Sequence, residues 1–162
     1  MALKIKFEDY SVKVTKELEN AAFNFLEEAG GLVEAKVKDL TRVASGQTRR
    51  EWDHVVDKAG LKVTIGNPNI NALYEERGTG EYGLYGKGRK GGWWICADQL
   101  DGKTKALFES KYHFKKRIGK GGKVFYFTRG KKGTRALMNA FKKSKNGIDN
   151  KAKAIFKELN NK

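Results

Sequence analysis

Trp52-Asp-His-Val-Val56 and Leu61-Lys-Val-Thr-Ile65, joined by Asp57-Lys-Ala-Gly60, are the runs that decide the fold class. In the second run Leu61, Val63 and Ile65 point one way while Lys62 and Thr64 point the other, the two-residue period of a half-buried strand. With a short glycine-containing connection between them, the two runs read as a β-hairpin. Upstream the period changes. Leu18, Ala22, Phe25, Leu26, Ala29, Val33, Val37 and Leu40 recur at three- and four-residue steps, tracing one face of a long helix. Thr15 is placed as the N-cap, with Glu17 and Glu19 in a first turn that favours anions, and the helix is expected to end near Arg42. Gly30-Gly31 falls inside this pattern at a cost of about 1 kcal/mol per glycine, which points to a kink or to the close approach of another backbone.

Downstream of the hairpin, Gly66-Asn-Pro68-Asn is a turn by composition. Ala72 to Arg77 is a third strand or a short helical turn, since so few residues do not separate the two periods. Trp93-Trp-Ile-Cys96 reads as a buried strand, and Val124-Phe-Tyr-Phe-Thr128 is the clearest β segment of the chain. Leu3 to Phe7 alternates as a short strand, and Thr104–Ser110 fits a short helix within a long basic excursion, residues 98–123. A helical pattern returns from Thr134 with Leu137, Met138 and Phe141, and continues with Ile148, Ala152, Ile155, Phe156 and Leu159. Asn146-Gly147 is expected to split it into two helices, with one kinked helix as the alternative. Helices that precede and follow the strands, instead of alternating with them, give an α+β class: a long N-terminal helix, an antiparallel sheet of about four or five strands and C-terminal helical segments.

Composition bounds what such a chain can be. Its 162 residues and 18.2 kDa suit a single domain, 1–162, and 39% hydrophobic residues are enough for a modest core. No apolar run approaches the ~20 residues of a membrane span, and the N-terminal residues lack the apolar stretch of a secretory signal. Cys96 is the single cysteine, which excludes an internal disulfide framework and suits a reducing compartment. The net charge is +15, and its distribution is uneven. Residues 1–101 are nearly balanced, whereas residues 102–145 hold 15 Lys/Arg against Glu109 alone. A block of that kind calls for an anionic partner, either nucleic acid or an acidic protein surface, or it repels itself when subunits gather.

Little in the sequence points to catalysis. Gly78-Thr-Gly80-Glu-Tyr-Gly83 and Gly86-Lys-Gly88-Arg-Lys-Gly91 both match the glycine spacing of a dinucleotide site. Neither has the strand-to-helix context that site requires, and the second runs into Trp93-Trp94. The glycine-rich segment 78–92 reads instead as a loop ordered by a partner. His54 and His113 have no ligands at metal-binding spacing, and a nuclease using His113 among Lys115, Lys116 and Arg117 is the weakest of the readings kept. Cys96 reads as a core thiol. Aromatics interleave the basic tract, and Val124–Phe127 is read as core, although aromatics among cations also stack bases. For Tyr112 and Phe114 both readings stay open.

Four stretches, taken in order, resemble the head–tail joining and tail-completion (neck) proteins of long-tailed bacteriophages and prophages. Ser45-Gly46-Gln47-Thr48-Arg49-Arg50-Glu51-Trp52 after a long helix is similar to that family's Thr/Ser-Gly-x-Leu-Arg-x-Ser signature. Ala72-Leu-Tyr-Glu-Glu-Arg-Gly-Thr-Gly80 resembles its Tyr-Ala-x-x-Val-Glu-Phe-Gly-Thr-Gly stretch. A hairpin with an Asn-Pro turn lies between these two, and Phe127-Thr-Arg-Gly130 through Leu137-Met-Asn-Ala140-Phe141 resembles the closing segment that starts the C-terminal helix. Thr48 stands where the family has an apolar residue, and the proline before the last helix is absent. The resemblance implies a non-enzymatic virion protein without cofactor or bound metal. It would act in a homo-oligomeric ring, a hexamer by analogy, between the head-side connector and the tail tube or tail terminator. It would be assembled in the bacterial cytoplasm, with DNA in the channel as a further partner and no membrane.

Candidate contact residues follow from both lines of reading. Gly46 permits a tight turn, after which Arg49 and Arg50 leave on opposite faces if residues 51–56 form a strand; one would pair with Glu75 or Glu76 and the other reach a neighbour. Arg49, Arg50, Glu75, Glu76, Gly78, Thr79 and Gly80 are the expected subunit or partner contacts. Lys115, Lys116, Arg117, Lys120, Lys123, Arg129, Lys131 and Lys132 are the expected anion- or DNA-facing set. The alternative to a ring subunit is a free nucleic-acid-binding protein using the tract 103–145.

Overall fold

The computed structural model describes residues 9–43, 46–110 and 114–160; the expected strand at Leu3–Phe7 lies outside them, as do Tyr112 and His113. Helix α1 spans Ser11–Leu40, a rod about 45 Å long at 1.5 Å per residue. It starts earlier than its apolar face suggests. Tyr10 precedes it without a side-chain cap, and Thr15, placed as N-cap from sequence, lies within the helix and bonds back to the Ser11 carbonyl at 2.9 Å. The far end is fixed more firmly: Thr41 donates to the Val37 carbonyl (2.6 Å) and accepts from the Trp52 indole N–H (2.9 Å). Trp52 is 5% exposed, so this bond satisfies a buried donor as it stops the helix.

Gly46, at φ 82°, turns the chain, as the sequence requires. Gln47–Arg50 then form one helical turn (α2), not the start of a strand, and β1 begins only at Asp53. Arg49 and Arg50 are therefore not splayed across a sheet. The hairpin is β1 (Asp53–Asp57) against β2 (Lys62–Gly66), paired from Asp53↔Gly66 to Asp57↔Lys62. It packs on α1 at the double glycine. A Cβ at Gly30 would overlap the His54 ring and lie 2.9 Å from Val63 Cγ2, whereas one at Gly31 would meet nothing within 4 Å. The glycine thus admits side chains of the hairpin, and α1 runs through without interruption.

Asn67 and Asn69 then build the turn: Asn67 accepts from the Asn69 N–H, and Asn69 caps α3 by accepting from Asn71 N (2.9 Å each). The ambiguous segment is helical, α3 spanning Ile70–Arg77. After the glycine-rich segment come β3 (Trp93–Cys96), α4 (Gly102–Ser110), β4 (Lys116–Ile118), β5 (Val124–Thr128) and α5 (Ala136–Asn160). The strands do not join into one sheet. β1 and β2 stand apart from a three-stranded antiparallel sheet of order β3-β5-β4.

α5 is one helix through Asn146-Gly147, not two. It runs antiparallel to α1: a Cβ at Gly147 would lie 3.6 Å from Leu32 Cδ1, and Lys151 pairs with Glu28 at 2.6 Å. The helix face that meets α1 also differs from the apolar pattern. Ala136, Ala140 and Ser144 are buried, four residues apart on one stripe, while Phe141 is 60% exposed. Small side chains let the two rods approach closely, and Val33, Val37, Trp52 and Ala72 complete the core against them. No helix among the described residues is long and apolar enough to cross a membrane.

Candidate functional site

The segment after α3 is not a free glycine loop. Thr79 N donates to the Lys131 carbonyl and Glu81 N to the Arg129 carbonyl (2.9 Å each), and Lys131 N donates to Thr79 Oγ1 (3.1 Å). The two chains touch so closely that glycine is required. Gly78 has φ 73° and a Cβ there would lie 2.8 Å from Gly133 N; at Gly130, φ 98°, a Cβ would overlap the Thr79 carbonyl. Two 3-10 turns, Gly80–Tyr82 and Leu84–Gly86, give the loop structure of its own.

Glu75 and Glu76 sit at this clasp and are engaged within the chain. Glu75 pairs with Lys131, and its carbonyl accepts from Thr134 N at 2.6 Å. Glu76 caps α5, its two oxygens accepting from Leu137 N (2.9 Å) and Met138 N (3.1 Å). A carboxylate on the first amides of a helix satisfies donors that have no intrahelical partner and opposes the positive dipole end. Arg49 lies 3.7 Å from Asp39, while Glu75 is taken by Lys131 and Glu76 by the α5 amides, so the expected pairing of Arg49 or Arg50 with these glutamates is not seen among the described residues. The stretches 46–48, 74–79 and 131 meet around one open cleft of about 630 Å³, whose walls include Gln47, Tyr74, Thr79, Lys103 and Lys131.

All eight expected anion-facing residues are exposed, and they divide in two. Lys116–Glu109 (3.4 Å), Lys123–Asp98 (3.9 Å), Arg129–Glu81 (3.6 Å) and Lys131–Glu75 are paired. Lys115, Arg117, Lys120 and Lys132 have no carboxylate partner among the described residues. Two of these four lie over rings: Arg117 is 4.2 Å from the Trp94 ring centroid and Lys132 6.0 Å from that of Tyr82.

The sheet beneath has unlike faces. On one, Tyr126 is fully buried, packs edge-on to Phe108 of α4 with centroids 5.6 Å apart, and donates its hydroxyl to Glu109 at 2.6 Å. That bond to a carboxylate, with burial, pushes the phenol up to about 12 and holds Glu109 below the usual carboxylate range. Phe114 joins this side against Phe108. The other face carries Trp94, Phe125 and Phe127, all half-buried, with Cys96. The reading of Val124–Phe127 as core therefore holds for Tyr126 alone among its aromatics, and Cys96 is a half-buried thiol instead of a core one.

A second cluster of ionisable groups braces the hairpin on α1. His54 Nδ1 pairs with Glu34, whose other oxygen takes Lys38, and Nε2 lies 3.3 Å from Glu27. The Glu34 hydrogen bond raises the His54 pKa against the opposing effect of burial. Glu34, Asp53 and His54 bring ligand atoms within 4.8 Å of one another and are the grouping among the described residues that could hold a metal ion. Within it Glu34 is already engaged by His54 and Lys38, and Asp53 accepts from the His54 backbone N–H at 2.9 Å. No protein-family pattern, curated protein or solved structure matches the chain.

Proposed function

We propose that this chain is a non-catalytic structural subunit of a phage or prophage neck, a head–tail connector or tail-completion protein acting in a ring between head-side connector and tail tube. The observation that carries the reading is spatial. Three of the stretches that resemble neck proteins, separated by tens of residues, converge on the clasp and cleft formed by residues 46–48, 74–79 and 131. The exposed cations Lys115, Lys120 and Lys132 supply a surface for an anionic partner, and a ring brings many copies of that surface together. Electron microscopy of particles made without this protein tests it. Filled heads and tails accumulating unjoined, or malformed tails, are the expected outcome; normal particles that lack the chain altogether overturn it.

A further inference from the structure

The face of the three-stranded sheet turned away from α4 was expected to be core, yet it carries half-buried rings beside exposed cations, an odd composition for a surface kept for stability alone. Trp94 and Phe127 lie across from each other in register, with ring centroids 5.2 Å apart, and Cys96 lies opposite Phe125. On the other side of β5, Arg117 lies opposite Phe125 and reaches over it, its guanidinium 5.4 Å from that ring and 4.2 Å from Trp94. Phe127 N donates to the Lys115 carbonyl (2.9 Å), which extends the ladder by one residue and puts Lys115 on the same side as Arg117. Neither long helix makes an extended contact with this sheet, and α4 covers the opposite face.

We propose that this face binds single-stranded nucleic acid, with bases stacking on Trp94, Phe125, Phe127 and the Arg117 guanidinium, and phosphates meeting Lys115 and the guanidinium N–H edges. Charge and shape together favour a single strand. Lys115 and Arg117 have no acidic partner among the described residues, so the face invites an anion. An acidic protein surface would satisfy the cations and leave the rings without a matching group. A duplex hides the faces of its bases in its own stack, whereas a single strand offers them to a flat sheet. A stacked guanidinium keeps every N–H at its rim free for phosphate oxygens. The inference does not rest on the ring reading and stands or falls on the isolated chain.

The test measures binding of the full chain to a fluorescent single strand of about 20 thymidylates, to a duplex of equal length, and to polyglutamate as competitor, near 100 mM salt. Expected are a clear preference for the single strand, a fall in tryptophan emission on binding, and a loss of roughly tenfold in affinity for Arg117→Ala. Lys142→Ala, an exposed cation on α5 away from this face, should cost far less. Phe125→Leu keeps apolar volume and removes a stacking ring; it should weaken binding while circular dichroism stays unchanged. Should Phe125→Leu unfold, the exposed Arg117→Ala still decides. Equal or tighter duplex binding, unchanged tryptophan emission, displacement by polyglutamate at equal charge, or Arg117→Ala no worse than Lys142→Ala would each overturn the proposal.

Discussion

Gly30 and Gly31 are neighbours in α1 with unlike surroundings, and a methyl group tells them apart. At Gly31 a Cβ meets open space in a helix interior, so Gly31→Ala should raise stability by about 0.5–1 kcal/mol. At Gly30 the added atom meets the His54 ring and Val63, and the ring is held by Glu34 and Glu27. Gly30→Ala should therefore cost on the order of 1–3 kcal/mol through overpacking, despite the better helix propensity. Urea titration of both variants checks the pair. The same histidine gives a pH dependence. Because Glu34 raises its folded-state pKa, its contribution is fully present below the ordinary value of 6.5 and is lost as pH rises through the raised folded value. Glu34, held below its ordinary 4.5 by Lys38 first and His54 second, loses its part as pH falls through the lowered value. The helix–hairpin contact, with Glu27, Asp53 and Lys38 also facing it, should be tightest between these limits. His54→Gln should flatten the decline in Tm on the alkaline side; an unchanged slope would contradict it.

Elements show what a sequence pattern carries and what it cannot. The long period of α1 and the alternation of β2 were legible because each repeats over many residues or over a whole strand. α3 was not, because eight residues fit either period and the deciding group is the Asn69 cap. The buried stripe of α5 was missed because alanine and serine at 136, 140 and 144 carry almost no hydropathy contrast, while the more apolar Met138 and Phe141 face outward. The division into two sheets depends on which strand pairs with β5, and β4 was hidden in what read as a basic excursion. The start of α5 is set from a distance by Glu76. Glu76→Ala should cost about 1 kcal/mol, near the value of an N-terminal cap, with Glu76→Gln losing part of it, and hydrogen exchange should quicken first at Leu137 and Met138. Gly147→Ala should act the other way: the helix is continuous there and the methyl gains ordinary contact with Leu32, so roughly 1 kcal/mol of added stability is expected by thermal melting.

At the scale of the whole molecule the charge is the organising quantity, and it was the part most fully readable from sequence: residues 102–145 carry 15 basic residues and one acidic. What sequence did not show is that the fold neutralises part of this itself, by bringing Glu75, Glu81 and Asp98 from the balanced region to Lys131, Arg129 and Lys123. Those pairs contribute little stability individually, but they leave Lys115, Arg117, Lys120 and Lys132, together with Lys103, Lys105, Arg135, Lys142, Lys143 and Lys145 of the same tract, as exposed cations without a carboxylate partner among the described residues. If subunits assemble in a ring, these residual charges come together, and their repulsion acts over a Debye length of about 10 Å at 0.1 M salt and about 30 Å at 0.01 M. Assembly should accordingly be weakest at low salt without a counter-anion and should recover when either salt or a polyanion is added. Light scattering across a salt series, with and without duplex DNA, measures this directly. A mass that stays monomeric under every condition argues against a self-assembling ring. A mass that is oligomeric and indifferent to salt would mean that the cationic surfaces face away from one another in the assembly.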